Sequence, residues 1–345
     1  MTEYNIAVVG AGAVGQEMLR VLTERQFPAR SVKVLARSAR TLTVDGREYQ
    51  VEPTTPEAFD GVDIALFAGT EGERGAAVVF GPEAVRRGAV IIDNGSDFRM
   101  RPDVPLVVPE VNAAALQKHE GIIANPNCST AQLVLALKPL HDLAKITRVW
   151  IATYQAVSGA GAAAVDELNA QNEALAERRA ISSPGPAFPM QIAANVIPQI
   201  GGFDAAGYTS EEMKLVYETR KIMGEDTLRV TPIVAARVPV AVGHSEAVCV
   251  ETERPVTPAE ARDLWANAPG VAILDDHSGT DPYRAYPTPL FAEGKDTTFI
   301  GRIRQDLDNP HGLNFWIVSD NLRKGAATNA VQIAESLVQQ GLLRR

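Results

Sequence analysis

Cysteine is scarce in this 345-residue chain: Cys128 and Cys249 are its only two. A pair so sparse and so far apart forms no disulfide framework, and free thiols in a reducing cytoplasm are expected. No run approaches the roughly 18 consecutive apolar residues that a membrane helix needs, and Met1 through Glu3 lead directly into a strand-like segment, so neither a span nor a signal peptide is expected. Basic charge is also short, with 33 Lys and Arg against 42 Asp and Glu and a net charge of -9. That balance argues against a nucleic-acid footprint and for a small-molecule partner. No repeat at a fixed period is visible, which removes solenoids and propellers. With 46% hydrophobic and 22% charged residues and no low-complexity run, the whole chain reads as folded. Its length predicts two domains.

What is present begins with a strand, a glycine turn and a helix. Tyr4 to Val9 is a short apolar run, followed by Gly10-Ala11-Gly12-Ala13-Val14-Gly15 and a helical pattern through Met18, Leu19 and Leu22. Glycines let the backbone turn tightly against a pyrophosphate, and the free amides of the helix start favour its charge. The bland alternative is a tight turn between core elements. A second strand, Val32 to Ala36, ends about 20 residues beyond the glycines, where an acidic residue would hold the ribose hydroxyls of NAD. Arg37-Ser38-Ala39-Arg40 stands there instead. Guanidinium groups and a hydroxyl suit a 2′-phosphate, so NADP is favoured over NAD, with a solvated basic loop as the alternative. Strands at Asp63 to Ala68 and Ala89 to Asp93, separated by a helical stretch from Glu73 to Arg87, predict a parallel doubly wound sheet. The segments 68–70 and 94–96 follow those strands at the ligand-binding edge and are candidate cofactor contacts.

Asn125-Pro126-Asn127-Cys128 ends another apolar strand and precedes a helical pattern over Ala131 to Leu143, which puts Cys128 at a helix N-terminus. The helix dipole and unpaired amides there favour thiolate, the species that attacks a carbonyl, and the same amides can steady an oxyanion. A buried structural thiol is the competing reading, and Cys249, inside the strand-like run Glu246 to Val250, shows what that looks like. A thiolate calls for a group that exchanges protons near neutral pH. Of five histidines, His119, His141, His277 and His311 lie in polar, helical or turn segments, whereas His244 follows Gly243 at the start of a strand. A satisfied strand-edge histidine stays open beside the catalytic one.

Four segments together resemble the aspartate-semialdehyde dehydrogenase family: residues 125–130, residues 153–161 (Thr-Tyr-Gln-Ala-Val-Ser-Gly-Ala-Gly), Arg237 to His244, and Asp320 to Ala327. They occur in the family's order, and the resemblance covers nearly the whole chain. It implies that Cys128 attacks L-aspartyl 4-phosphate, expels phosphate, and holds a thioester that NADPH reduces to L-aspartate 4-semialdehyde, in biosynthesis of lysine, diaminopimelate, threonine, methionine and isoleucine. By the same resemblance His244 is the acid/base group, Gln155 orients the thioacyl group, and Asn127 sits beside the oxyanion. Arg99 and Lys214 bind phosphate, Arg237 the substrate carboxylate and Glu211 its amino group. Ser158, Gly159 and Asn321 approach the nicotinamide. Glu211 and Lys214, three apart on an expected helix, share a face and can pair.

The glycine turn is one residue shorter than the family's usual form, residues 70–74 lack its Gly-Gly-Ser-like character, and the Arg37 to Arg40 stretch is phased differently. The expected architecture is a Rossmann-like NADP-binding domain over residues 1–127 and an α+β catalytic and dimerisation domain over 128–320. A C-terminal helix over 321–345 packs back on the first, the active site lies between the two domains, and no metal site is assigned. Strand-like segments at Leu228 to Ala235, Gly243 to Glu251, Thr297 to Arg304 and Leu313 to Ser319 predict a mixed sheet and a homodimer surface. An N-acetyl-glutamyl-phosphate reductase is the nearest rival, but a glycine usually precedes its nucleophile where this chain has Asn127. A noncatalytic paralogue would be expected to lose Cys128 or His244, and a cysteine hydrolase leaves the glycine turn unexplained.

Overall fold

In a computed structural model, residues 2–69, 72–181, 185–279 and 281–343 are described. The chain divides into two compact units, Met1–Asn127 with Gly325–Arg345, and Cys128–Lys324.

The first unit is built on β1 (Tyr4–Val9), β2 (Ala29–Ala36), β3 (Arg40–Val44), β4 (Arg47–Pro53), β5 (Ile64–Phe67), β6 (Val90–Asp93) and β7 (Ile122–Ala124), in the order β3-β4-β2-β1-β5-β6-β7. All ladders are parallel except β3 with β4. Without that edge strand the order is 3-2-1-4-5-6, the doubly wound dinucleotide arrangement, and it reverses between β1 and β5. The inner strands read as unbroken apolar runs because helices cover both faces. Helices α1 (Ala13–Glu24) and α2 (Ala76–Arg86) are the crossovers. The β3-β4 hairpin is absent from the sequence expectation, since its residues are mostly polar and exposed. Its signal is Asp45-Gly46, both at positive φ, 49° and 78°, as a two-residue hairpin turn requires.

The last helix differs from expectation. It runs over Thr328–Gln340, preceded by a π-helical turn at Arg323–Ala327, so Asn321 lies before it in a turn rather than at its start. The cause is Asp320, whose Oδ1 accepts from the amides of Leu322 (2.8 Å) and Arg323 (3.2 Å) and holds the turn. Ala330, Val331, Ala334 and Leu337 of this helix share a buried core with Met18, Leu19 and Leu22 of α1.

The second unit carries β8 (Ile146–Gln155), β9 (Arg229–Arg237), β10 (His244–Thr252), β11 (Val271–Ile273), β12 (Thr298–Gln305) and β13 (Gly312–Ser319) in the order β11-β12-β13-β10-β8-β9. Its ladders are mixed: β8-β9 and β11-β12 are parallel, the others antiparallel. One face packs on α3 (Cys128–Ala144), where Leu133, Leu137 and Leu140 meet Val149, Ile151, Val248, Val250 and Ile317. Helix α4 (Ala162–Ala176) follows β8. Helix α5 (Ser210–Met223) opens with a capping box between Thr209 and Glu212, and Glu212 Oε1 also accepts from the Ala235 amide at 3.0 Å. That bond ties the start of α5 to β9. Helix α6 (Pro258–Ala266) buries Trp265, whose Nε1 donates to the Ala136 carbonyl at 2.9 Å. Central β8 escaped the sequence expectation because its final inward positions, Thr153 and Gln155, are polar although fully or nearly fully buried.

Toward the Cys128 end the core face turns polar. Glu246 sits opposite Thr153 on one side and Ile317 on the other, two residues after His244 on the same face. Burial pushes its carboxyl well above the ordinary range, with the nearby Gln132 amide opposing weakly, so it is held as the neutral acid. The unfolded chain ionises this group above its ordinary pKa whereas the fold does not, so folding stability falls as pH rises past that value. Glu246→Gln, of the same shape and uncharged, is expected to raise Tm at pH 8 by about 2–4 °C. The gain should fade toward pH 4.5, as thermal melts across pH will show.

Candidate active site

The nucleophile candidate is delivered by an anchored strand end. After β7, the Asn125 amide donates to Asp93 O (2.7 Å) and its side chain links Asn94 Oδ1 (2.9 Å) with Asn329 Nδ2 (2.6 Å). Pro126 and buried Asn127 follow, and α3 begins at Cys128, which is half-buried. The thiol therefore stands on the first residue of a 17-residue helix, where the positive dipole end favours thiolate. Inside the first unit, Arg99 is buried, with Nε donating to Asn125 O (2.9 Å) and Nη2 to Asn94 O (2.7 Å).

Within the second unit, the end of β8 and the loop before β10 are stitched together. Ala156 is the central stitch. Its N–H donates to His244 Nδ1 at 3.0 Å, and its carbonyl accepts from Arg237 Nη1 at 2.8 Å. On either side Val238 N donates to Gln155 O (3.0 Å), Val157 N to Val240 O (2.9 Å) and Ser158 N to Ala241 O (3.1 Å). Gly243 has φ +96°, and a Cβ there would meet Pro289 at 2.9 Å, so glycine alone makes the turn that aims His244. Asn321 braces it, accepting from Gly243 N at 2.8 Å while its Nδ2 donates to Ser158 Oγ at 3.0 Å.

Electrostatics follow from this packing. Arg237 is buried, and desolvation lowers its pKa, while Glu211 and Cys128 lie close enough to favour the cation. Guanidinium stays charged regardless. His244 is wholly buried; desolvation first and Arg237 second push it down to about 3, against smaller opposing effects of Glu211 and the Gly243 backbone. Gln155 Nε2 donates to Glu211 Oε1 at 3.1 Å, and Glu211 Oε2 pairs with Lys214 at 3.3 Å on the shared face of α5. One cluster thus joins Gln155, Glu211, Lys214, Arg237 and His244, with the Cys128 sulfur in electrostatic range of Arg237. Ser158, Gly159 and Asn321 stand beside it.

The other expected residues belong to the dinucleotide end of the first unit. Gly10 has φ +110°, a Cβ on Gly15 would strike Gly10 O at 1.8 Å, and a Cβ on Gly12 would meet nothing within 4 Å. Gly15 therefore permits close strand-helix packing, and Gly12 leaves the approach to α1 open. No side chain caps the start of α1, over which Ala11, Ala13 and Val14 turn. These features fit a pyrophosphate. Arg37, Ser38 and Arg40 are exposed at the end of β2 and the start of β3. Of the other candidate contacts, Thr70 and Glu71 lie outside the described residues.

Two contributors were missed in the sequence. Ala156 acts through its peptide group, which a side-chain reading cannot see; Glu246 had a visible signal, a carboxylate at an inward position of an otherwise apolar strand.

A doubly wound sheet with a glycine turn fitted to a dinucleotide, carried with a second unit in which a thiol opens a helix, defines a nicotinamide-dependent oxidoreductase. Residues 5–119 match the family description "Semialdehyde dehydrogenase, NAD binding domain", and residues 137–324 match "Semialdehyde dehydrogenase, dimerisation domain". The chain is 48% identical to the aspartate-semialdehyde dehydrogenase of Aquifex aeolicus, over 99% of both chains. It is also 48% identical to that of Bacillus subtilis, over 98% of this chain and 99% of the relative. Among solved structures, aspartate semialdehyde dehydrogenase II of Vibrio cholerae complexed with ASA superposes with a TM-score of 0.91 at 43% identity, covering 98% of this chain and 99% of that one. The chain belongs to the aspartate-semialdehyde dehydrogenase family. The expected Rossmann-type and mixed-sheet fold is borne out, and no helix among the described residues is long and apolar enough to cross a membrane.

Gly159 leaves the site little room. A Cβ there would lie 3.0 Å from Arg237 Nη1 and 3.3 Å from His244 Nε2. Gly159→Ala should lower kcat/KM by about tenfold or more by displacing Arg237 and His244, with Tm little changed because the position is exposed. Steady-state kinetics beside a thermal melt checks this.

Proposed function

We propose that the chain catalyses the reductive dephosphorylation of L-aspartyl 4-phosphate to L-aspartate 4-semialdehyde, with NADP as the preferred cofactor and as a homodimer in a reducing cytoplasm. The observation that carries this reading is the grouping of Gln155, Glu211, Lys214, Arg237 and His244, with Arg237 in electrostatic range of a thiol at a helix start. Cys128, as thiolate, attacks the acyl carbon and phosphate departs, leaving a thioester on the sulfur. Arg237 is fixed by the Ala156 carbonyl and retains charge, which suits a carboxylate. Glu211, held by Gln155 and Lys214, suits a substrate ammonium. Lys214 and Arg99 are assigned to phosphate and Asn127 to the oxyanion. When bound, the nicotinamide supplies the hydride that reduces the thioester; Ser158, Gly159 and Asn321 are assigned to its approach. Gly10, Ala11, Gly12, Ala13, Val14 and Gly15 would hold the pyrophosphate, and Arg37, Ser38 and Arg40 the 2′-phosphate.

The reverse reaction gives the direct assay. Aspartate semialdehyde with inorganic phosphate should reduce NADP, followed by the absorbance of NADPH, and Cys128→Ala should lose at least about 10⁴-fold. No turnover by wild type, or unchanged turnover by Cys128→Ala, would sink the assignment. Arg37→Ala with Arg40→Ala should raise KM for NADP about tenfold or more and leave KM for NAD nearly unchanged, since only the former carries the 2′-phosphate.

A further inference from the structure

Cys128 stands at the open end of one ridge of α3. Residues 128, 132, 136, 140 and 144 follow one another at intervals of four and so lie along one side of the helix. The last three, Ala136, Leu140 and Ala144, are buried in the apolar core that α3 shares with the sheet. Apolar packing of that kind presses a helix onto a sheet but has no direction, and side chains as small as alanine give little hold against rotation. The turn that carries the thiol needs a more specific contact, because a misplacement of about 1 Å can cost about a hundredfold in rate.

Gln132 is the ridge member next to Cys128. It is wholly buried and meets Glu246 of β10, whose carboxyl it approaches closely enough to act on. The ladder neighbours of Glu246 do not compete for it: Ile317 is apolar, and Thr153 Oγ1 accepts from Gln155 Nε2 at 3.4 Å. Both carboxyl oxygens of Glu246 and both amide atoms of Gln132 are buried with no hydrogen-bond partner elsewhere among the described residues. The two side chains are left to satisfy each other. Burial keeps the carboxyl protonated, and a protonated acid matches a primary amide atom for atom. Its O–H can donate to the amide oxygen while its carbonyl accepts from the amide nitrogen.

A matched apolar pair would fill the same space at a lower cost in solvation. The polar pair adds direction, and it does so one turn from the sulfur. Resting on the proposed thioester chemistry, we infer that Glu246 is a positioning residue: it locks the first turns of α3 to β10 through Gln132 and so fixes where Cys128 stands beside Arg237.

The test compares full-length wild type with Glu246→Gln, Glu246→Met, Gln132→Met and the double Met variant. Replacing both partners removes the buried polar atoms together, so the double variant should melt no lower than wild type. Its kcat should nevertheless fall by at least about tenfold, with KM for aspartate semialdehyde and phosphate within about twofold of wild type. In ligand-free protein, iodoacetamide alkylation is read at Cys128 by mass spectrometry of its peptide. Its pH midpoint should rise by about half a unit or more in the double variant, as the thiol moves away from Arg237. Each single Met variant should lose about as much kcat as the double, since either change dissolves the pair. Glu246→Gln, which keeps a donor and an acceptor, should stay within about threefold of wild type. A double variant with wild-type kcat and alkylation midpoint overturns the inference. So do losses that multiply in the double variant, or a loss in Glu246→Gln equal to that in Glu246→Met. A double variant that fails to fold overturns it too, because the pair would then hold the fold and not the thiol. Absence of wild-type turnover would instead overturn the reaction assignment, and the alkylation midpoints would still decide the role of the pair.

Discussion

The backbone of one residue holds this site together: the N–H of Ala156 fixes the acceptor nitrogen of His244, and its carbonyl, in the next peptide, fixes the guanidinium of Arg237. Burying both groups costs solvation, and each is offset by a hydrogen bond to the backbone of the same residue. The two peptides that meet at Ala156 are each pinned to the facing loop, Gln155 O by Val238 N and Val157 N by Val240 O, and this sets the imidazole and guanidinium relative to each other. Side chains with several free torsions then behave as parts of a template. Asn321 and Gly243 extend that template by fixing the turn from which His244 departs.

The electrostatic design follows from the same burial. A thiolate needs positive potential, and here it comes from a helix start and a permanently charged Arg237, neither of which titrates near neutrality. The groups that could titrate nearby are neutralised or engaged: His244 by desolvation, Glu246 by desolvation, Glu211 by its partners. Negative charge that would oppose the thiolate is thereby withheld from the core side of α3.

Much of this was legible in the sequence, for identifiable reasons. The glycine turn and the helix-start position of Cys128 could be read because each depends on local chemistry, a φ that only glycine tolerates or a residue type at a strand-helix junction. Glu211 and Lys214 could be paired because helical spacing fixes their distance. Central β8 was hidden since the site makes its inward positions polar, defeating the alternation that marks a half-buried strand. The β3-β4 hairpin was hidden by its exposure, and the start of the last helix by a π-turn that Asp320 imposes. The role of Ala156 could not be read at all, because the useful atoms are those every residue shares.

The position of β8 has a kinetic meaning. It lies between β9 and β10, which join it only after more than 70 further residues of chain have been laid down, and Gln155 and Ala156 sit at its end. Every contact that assembles the template is thus of long sequence separation, the kind whose loop-closure cost makes folding slow. The template at this site requires those long-range pairings, whereas helices need only local contacts to form.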